Sequence, residues 1–324
     1  MRKVYYILLA LSLILPDLHS QQTPVYSQYL LNGFLINPAI AGAEGYTAFN
    51  LTAREQWVGF SDGPATYALS FQTRIMRQSY IANNTAVRKR SRNAYRGGRV
   101  GLGGYIFNHR NGAVDRTGLR ISYAYHLPLE TGQLSFGLSM VGYQYRIDKD
   151  RVELENPDDA FWLGMQQSVF IPDADAGIYY TSKDFWVGFS VDQLFESALK
   201  FGGEGYDRLV MDRNYHVMGG YDFLLNEELT LSPSTHLKIA ENGKIQADIT
   251  GKLYIKQLYW AGICYRTGHS LVIGGGVSVD RLVFGYAYDI GLNSIMKHSF
   301  GTHEFTFIAK FGENARRYRW LNRF

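Results

Sequence analysis

Residues 244–255, KIQADITGKLYI, decide the fold. Successive side chains of a β-strand point to opposite faces, so this stretch has one apolar face and one polar face. The apolar face carries Ile245, Ala247, Ile249, Gly251, Leu253 and Ile255. The polar face carries Lys244, Gln246, Asp248, Thr250 and Lys252. Residues 134–140 and 304–311 alternate in the same way, so we expect strands there too.

Similar segments, each closed by turn residues, recur along the chain. The 24 Tyr and 34 Gly, together with the scarcity of helical patterns, indicate an all-β protein. We place strands at 46–55, 64–75, 99–108, 117–127, 133–146, 173–182, 184–192, 213–223, 228–240, 244–255, 258–267, 269–279, 281–291 and 300–311. An even number of strands is typical of single-chain bacterial barrels.

Alternation alone fits both a soluble sandwich and a membrane barrel, whose polar face lines a lumen. Strand length, aromatic content and unequal connections favour the barrel. If both termini lie in the periplasm, the short turns at 128–132, 182–183, 224–227, 256–257 and 280 are periplasmic, whereas 147–172 and 193–212 are long surface loops. The sequence therefore predicts a transmembrane antiparallel β-barrel of about 14 strands.

The N-terminus predicts export. Arg2 and Lys3 precede an apolar run at 4–15, Pro16 ends the run, and Ser20 offers a cleavage point before Gln21. The run is too short for a transmembrane helix. We therefore expect a signal peptide at 1–20 and one outer-membrane barrel domain at 21–324. That domain begins with a plug-like segment at 21–45 and ends in a basic periplasmic tail at 312–324.

The segment before the first strand is too hydrophobic to extend into water. Residues 29–36 are predicted to form a short apolar helix, which Asn37 would end because it precedes Pro38. Our hypothesis is that this segment folds back into the periplasmic mouth of the barrel as a partial plug. The alternative is an ordinary first strand.

One long connection, 76–98, falls on the side where short turns are expected. From Arg74 to Arg99 the chain has basic residues and no acidic ones, with a cluster at Arg88, Lys89, Arg90 and Arg92. The connection at 147–175 is by contrast acidic, and it includes Asp173 and Asp175. The basic stretch is either a periplasmic docking face for an acidic partner or solvated charge that aids solubility and orientation. A nucleic-acid partner is not expected in this compartment.

Catalytic chemistry finds little support in the sequence. The glycine runs at 101–104 and 274–276 do not open a helix in a βαβ unit, so they are not phosphate loops. The histidines show no metal-ligand spacing, and the single cysteine, Cys264, is predicted to be a buried apolar residue. The pair His303 and Glu304 is the remaining catalytic candidate. The sequence predicts no enzyme, cofactor or metal.

Motifs at both ends of the mature chain carry a family resemblance. Residues 26–29 read Tyr-Ser-Gln-Tyr, and Asn32, Asn37-Pro38-Ala39 and Ala41-Gly42 follow. The match continues through Arg54, Gln56-Trp57, Gly59, Pro64, Thr66 and Ser70, and it closes with Tyr288-Asp289 and residues 299–304, SFGTHE. Together these motifs resemble the PorP/SprF family of type IX secretion system membrane proteins.

The resemblance implies an outer-membrane component of a secretion and gliding machinery that binds or anchors secreted cargo at the cell surface. Implied partners are the periplasmic ring components, an adhesin or other cargo with a C-terminal sorting domain, and outer-membrane lipid. The residues expected to bind partners are Tyr26, Gln28, Asn32, Asn37, Arg54, Gln56, Trp57, Gly301, His303 and Glu304. Two alternatives remain, a passive or substrate-specific porin and a surface hydrolase.

Overall fold

A computed structural model describes residues 26–28, 31–60, 62–75, 99–152, 167–196, 198–199, 209–268, 270–292 and 299–311. Fourteen strands form the barrel wall. They are β1 Thr47–Glu55, β2 Ala65–Ile75, β3 Val100–Asn111, β4 Val114–Pro128, β5 Gly132–Ile147, β6 Ser168–Ser182, β7 Phe185–Asp192, β8 Asn214–Tyr221, β9 Leu229–Ala240, β10 Ile245–Ile255, β11 Tyr259–Arg266, β12 Ser270–Val279, β13 Leu282–Gly291 and β14 Thr302–Phe311.

Each strand pairs antiparallel with its neighbours in sequence, and β1 pairs with β14. The β8–β9 pair completes the circle, so the sheet has no open edge. Two-residue strands add to this frame: Phe223–Leu224 pairs with β9, and Ala198–Leu199 pairs with Leu209–Val210 outside the wall. The predicted barrel and its strand number are confirmed.

The two faces of the wall are inverted relative to a soluble protein. In β10, Ile245 and Ile249 are 65% and 60% exposed, while Asp248, Thr250 and Lys252 are buried. The other strands follow the same pattern: Leu138 and Met140 of β5 point outward, and Ser139 is buried. An apolar exterior around a polar interior is the arrangement expected of a membrane barrel.

Some strands are longer than predicted, because they continue into stretches where the side chains on both faces of the strand are polar. β3 continues to Asn111, and β4 already begins at Val114, so only a tight turn at 112–113 joins them. β6 begins at Ser168, so Asp173 and Asp175 lie within the wall, as the predicted strand at 173–182 had placed them, and the acidic connection is shorter than 147–175. Backbone pairing thus extends past the apolar band that makes a strand recognisable.

The connections divide between two ends of the barrel. The terminal end holds the start of β1 and the end of β14, and the loop end is the opposite one. Turns at 129–131, 183–184, 256–258 and 280–281 at the terminal end are short, as predicted. The predictions for 1–20, 76–98 and 312–324 concern residues outside those described. No helix in the described ranges is long and apolar enough to cross a membrane.

The segment before β1 is neither one helix nor a strand in its described residues. Short 3-10 turns occur at Gly33–Leu35 and Pro38–Ile40. The first turn ends before Asn37, and Pro38 opens the second turn, which the Asn37 side chain caps by accepting from the Ala39 N–H. The predicted break at Asn37 is present, but the prediction of one helix at 29–36 is wrong, because Asn32 has a non-helical backbone. Tyr29 and Leu30 lie outside the described residues.

Candidate functional site: a charged belt around the N-terminal segment

The residues before β1, which we call the N-terminal segment (26–28 and 31–46), contact the inward faces of strands around the barrel. Asn32 donates a hydrogen bond of 2.8 Å to Ser70 of β2, and Arg120 of β4 donates one of 2.9 Å to the carbonyl of Leu35. Gly42 lies beside Thr73 and Gly101 near the terminal end. Phe34 is fully buried. From the start of β1 back to Tyr26, the segment therefore runs along the interior of the barrel from the terminal end toward the loop end.

Glu304 of β14 fixes the start of the described segment. Its carboxylate accepts hydrogen bonds of 2.7 Å from the backbone N–H groups of both Ser27 and Gln28. The Gln28 side chain donates in return to the carbonyl of Glu304 at 3.0 Å. Because the carboxylate is only about 1% exposed, these charge-assisted bonds form away from bulk water.

Arg54 of β1 completes this anchor. Its guanidinium lies 3.1 Å from both Glu304 and Asp289 of β13, and it also donates to the hydroxyl of Ser27. The side chains of three adjacent strands therefore converge on one dipeptide. Arg54 balances two buried carboxylates, which would otherwise be costly to desolvate side by side.

These ion pairs belong to a longer chain of buried groups, which we call the charged belt. Contacts of 2.9 to 3.9 Å join each member to the next. In order, the members are Asp175, Arg120, Asp192, His216, His236, Asp248, Arg266, Asp289, Arg54 and Glu304. They come from β1, β4, β6 to β11, β13 and β14, so the belt follows most of the circumference.

The belt holds the N-terminal segment at separate points. Arg266 donates to the carbonyl of Tyr26 at 3.3 Å, and Arg120 holds Leu35 as described above. The Tyr26 hydroxyl bonds to the hydroxyl of Tyr105. Burial raises the pKa of the Tyr26 phenol above its usual value, so this hydroxyl stays protonated. Backbone carbonyls and amides of the segment thus find partners inside the barrel, as buried polar groups require.

Asn37 provides a second anchor. Its side-chain N–H₂ donates to the carbonyls of Ile178 in β6 and Phe189 in β7, at 3.0 and 3.2 Å. A β-carbon at Gly177 would overlap the Asn37 side-chain oxygen, and one at Gly188 would lie 3.0 Å from its nitrogen. Glycine is therefore required at Gly177 for the amide to reach the wall, and a larger residue at Gly188 would crowd it.

The remaining motif residues lie at the loop end. The Trp57 N–H donates to the Thr302 hydroxyl at 3.4 Å, and Val58 pairs with Gly301 and Phe300 through backbone bonds of 3.0 and 2.7 Å. The residue after β1, Gln56, bonds through its N–H to the carbonyl of Pro64. Trp57 and Gly301 both have positive φ, at 52° and 81°. These contacts extend the β1–β14 pairing beyond the wall.

His303 and Glu304 do not form a pair. They are consecutive in β14, so they point to opposite faces: Glu304 faces the interior, and His303 bonds to the hydroxyl of Tyr286 at 2.8 Å. The structure thus separates the expected partner-binding residues into two groups. Tyr26, Gln28, Asn32, Asn37, Arg54 and Glu304 are in the interior, and Gln56, Trp57, Gly301 and His303 are at the loop end or outside.

Most members of the belt were not singled out from the sequence. Asp248 was recognised only as a polar-face residue, and Arg120 and Arg266 were not recognised at all. The sequence does contain a clue, since each is a charge on the polar face of an alternating segment. The basic residues Arg88, Lys89, Arg90 and Arg92 fall outside the described ranges. Within those ranges, no group of three or more His, Cys, Asp or Glu could hold a metal ion.

A closed antiparallel sheet with an apolar exterior and an interior lined by charge defines a β-barrel membrane protein of the outer-membrane type. More particularly, the chain belongs to the PorP/SprF family, because the family model of the type IX secretion system membrane protein PorP/SprF matches residues 18–308. A comparison with curated proteins finds no match.

Solved structures similar to this chain are outer-membrane barrels. The toluene transporter TodX of Pseudomonas putida has 10% identity and a TM-score of 0.48, with 87% of this chain and 94% of that chain covered. BamA of Haemophilus ducreyi lacking its POTRA domains 1–3 has 10% identity and a TM-score of 0.40, with coverages of 82% and 70%. The NanC porin has 9% identity and a TM-score of 0.39, with coverages of 82% and 99%.

Proposed function

We propose that this protein binds and anchors secreted cargo at the cell surface as an outer-membrane component of the type IX secretion and gliding machinery. Membership of the PorP/SprF family supports a place in that system. The observation that favours a binding scaffold over a porin is the interior of the barrel, where the charged belt holds the N-terminal segment. On this proposal the protein carries out no covalent chemistry.

The proposal includes the route to the membrane. Residues 1–20 act as a cleaved signal peptide, and the barrel then inserts with both termini in the periplasm. The loop end is in that case the outer surface. The N-terminal segment serves as a plug that also holds the loop end of β1, β13 and β14 in place through Ser27 and Gln28.

Cargo is proposed to bind at the loop end near Gln56, Trp57, Gly301 and His303. This surface is well suited to contact a folded sorting domain, because the backbone bonds of Val58 to Gly301 and Phe300 hold two connections together. Phe60 and Phe300 are 47% and 74% exposed beside it. Exposed aromatic side chains on a supported backbone are common anchors of protein interfaces.

The periplasmic ring is proposed to bind on the opposite side. The basic residues Arg88, Lys89, Arg90 and Arg92 lie in the connection between β2 and β3, which joins these strands at the terminal end. A cluster of positive charge would attract an acidic surface and speed its association. The alternative is that these residues are solvated charge without a partner.

The test is an affinity pull-down of the tagged protein from gently solubilised outer membranes, with mass spectrometry of the companions. We expect a secreted protein with a C-terminal sorting domain and periplasmic ring components. Trp57→Ala should reduce cargo recovery at least tenfold and leave the ring components, whereas Leu129→Ala, at the opposite end of the barrel, should change neither. Replacing the four basic residues by Gln should remove the ring components alone.

Two results would count against the proposal. Recovery of the barrel without companions would favour the porin alternative. Equal cargo recovery by the Trp57→Ala and Leu129→Ala variants would move the binding surface away from the loop end. All variants must first show the change in gel mobility on heating that marks a folded barrel.

A further inference from the structure

A cavity of about 330 Å³ opens inside the barrel at the terminal end. Its volume is at the lower limit for small-ligand pockets. The side chains that carry its chemistry include Lys252, Trp260, Tyr46, Tyr254, Ile308 and Lys310. None of the contacts that anchor the N-terminal segment at Glu304 or Asn37 involves Lys252 or Trp260. The cavity is therefore separate from the charged belt.

Lys252 of β10 is the unusual residue in this cavity. Its side chain is buried, with 6% of the residue exposed, and its ammonium group has no hydrogen-bond acceptor among the described residues. The ammonium lies 4.6 Å from the centre of the Trp260 ring. A cation–π contact of this kind offsets part of the desolvation, but it leaves the N–H groups of the ammonium without acceptors.

Glycines leave room for both side chains on the inner face of this part of the wall. A β-carbon at Gly262 would lie 2.9 Å from Cγ of Lys252, so the lysine stem lies across that glycine. The indole of Trp260 lies across Gly276 and Gly285, whose β-carbons would be 2.5 and 3.2 Å from its ring atoms. Both side chains are thereby held against the wall, and the space in front of them belongs to the cavity.

Further polar atoms without partners surround Gly285. The indole N–H of Trp260 has no acceptor, the side-chain oxygen of Gln28 has no donor, and the hydroxyl of Thr306 is unpaired within the described residues. Gln28 and Trp260 approach the same side of Gly285, and Thr306 is its partner across the β13–β14 pairing. Gln28 and Thr306 do not line the cavity, so the unpaired groups of the described residues that a ligand there can reach are the Lys252 ammonium, the Trp260 N–H and the Ser234 hydroxyl.

We propose that Lys252 and Trp260 form a binding site for a peptide that ends in a free carboxylate and enters from the terminal end. The carboxylate accepts from the Lys252 ammonium and the Trp260 N–H, as charge-assisted hydrogen bonds. A peptide N–H donates to the hydroxyl of Ser234. A fatty acid also carries a carboxylate, but it has no donor for Ser234, and the polar side chains of Asn50 and Gln72 in the lining suit a peptide backbone better than an acyl chain. This site does not depend on the proposed role in secretion.

Equilibrium dialysis of the purified full-length barrel in detergent tests the site. The probes are an equimolar library of N-acetyl tripeptides with free carboxyl termini, the same library as C-terminal amides, and decanoate. The wild-type protein should retain the acids at least tenfold more than the amides. Lys252→Met, which keeps the stem and removes the charge, should abolish that preference. Lys244→Met, next to the opposite end of the same strand, should preserve it.

Trp260→Phe keeps the ring and removes the N–H donor, and we expect it to weaken retention of the acids about threefold. This variant also serves as the test if Lys252→Met fails to fold. Equal retention of acids and amides by the wild-type protein would overturn the proposal. An undiminished preference in the Lys252→Met variant would do the same. Retention of decanoate in place of the peptides would replace the peptide with a fatty acid as the ligand.

Discussion

Glu304 anchors the described start of the N-terminal segment. Its carboxylate accepts from two backbone N–H groups and pairs with Arg54. We predict that Glu304→Gln lowers the free energy of unfolding by about 3 kcal/mol, because the neutral amide weakens two charge-assisted bonds to backbone N–H groups and loses the ion pair with Arg54. Urea unfolding in detergent micelles, followed by tryptophan fluorescence, measures the loss.

The control for this prediction is Glu228→Gln. Glu228 also pairs with a cation, Lys256, but both side chains are 61% exposed, so we expect a change below about 0.5 kcal/mol. A double-mutant cycle with Arg54→Met separates the pair from other effects: the double variant should lose much less than the sum of the two single losses. Strict additivity would show that Arg54 and Glu304 are not coupled.

Single residues were predictable where they belong to a motif and not where barrel closure brings them together. Arg54, Glu304 and Asn37 were selected from the family motifs, and the structure places all of them against the N-terminal segment or within it. His216 and His236 appeared scattered in the sequence, yet they are 3.0 Å apart because β8 pairs with β9. Alternation identifies which face a residue occupies but not its neighbour on another strand.

At the scale of elements, neighbouring glycines of β3 test whether the wall is shaped for the N-terminal segment. A β-carbon at Gly103 would overlap the ring of Phe34, whereas one at Gly104 meets nothing within 4 Å. We predict that Gly103→Val displaces the segment and makes the chain cleavable by chymotrypsin at Phe34, which is fully buried in the native protein. Gly104→Val should leave Phe34 protected, since valine suits an outward strand position.

The cleavage rate at Phe34 is to be compared at matched protease concentration, and we expect an increase of at least tenfold in Gly103→Val alone. Equal protection of both variants would mean that the wall adapts to the added side chain. Equal exposure in both variants would mean that the displacement does not depend on the contact between Gly103 and Phe34. Intact gel mobility of the folded form is needed for both variants.

The strands themselves were the most predictable elements, because the side chains that face into the barrel and those that face outward differ so strongly in polarity. Their ends were less predictable. β3 and β4 extend through Arg110 and Asp115, where the side chains on both faces of the strands are polar. The N-terminal segment was predicted as one helix because its residues are apolar. Contacts with strands distant in sequence, such as those of Asn37 with β6 and β7, favour two short turns instead.

For the whole molecule, the predicted barrel is confirmed, whereas the plug at its periplasmic mouth stays a prediction, and the course of the N-terminal segment along the interior was not predicted. Ser27 and Gln28 contact Glu304 next to the loop end, and Gly42 lies beside Gly101 near the terminal end. Barrel closure is what makes this course available, since only a closed wall provides inward-facing partners on all sides. No local pattern in residues 26–46 encodes it.

Conductance of single barrels in planar bilayers measures whether the segment closes the interior. Barrels of 8 strands are filled by side chains and those of 16 to 18 strands leave a channel, so a barrel of fourteen has room for water unless something occupies it. We predict a low conductance for the wild-type protein. The double variant Glu304→Gln with Asn37→Ala, which removes both anchors, should conduct at least tenfold more.

The Glu228→Gln variant should conduct like the wild type, because Glu228 lies on the surface and holds no part of the segment. Large steady currents through the wild-type barrel would contradict the plug and favour a porin. If chymotrypsin cuts the double variant at Phe34 but its conductance stays low, residues other than the N-terminal segment close the interior. Currents that appear together with cleavage at Phe34 would identify the segment as the closing element, held by Glu304 near the loop end and by Asn37 against β6 and β7.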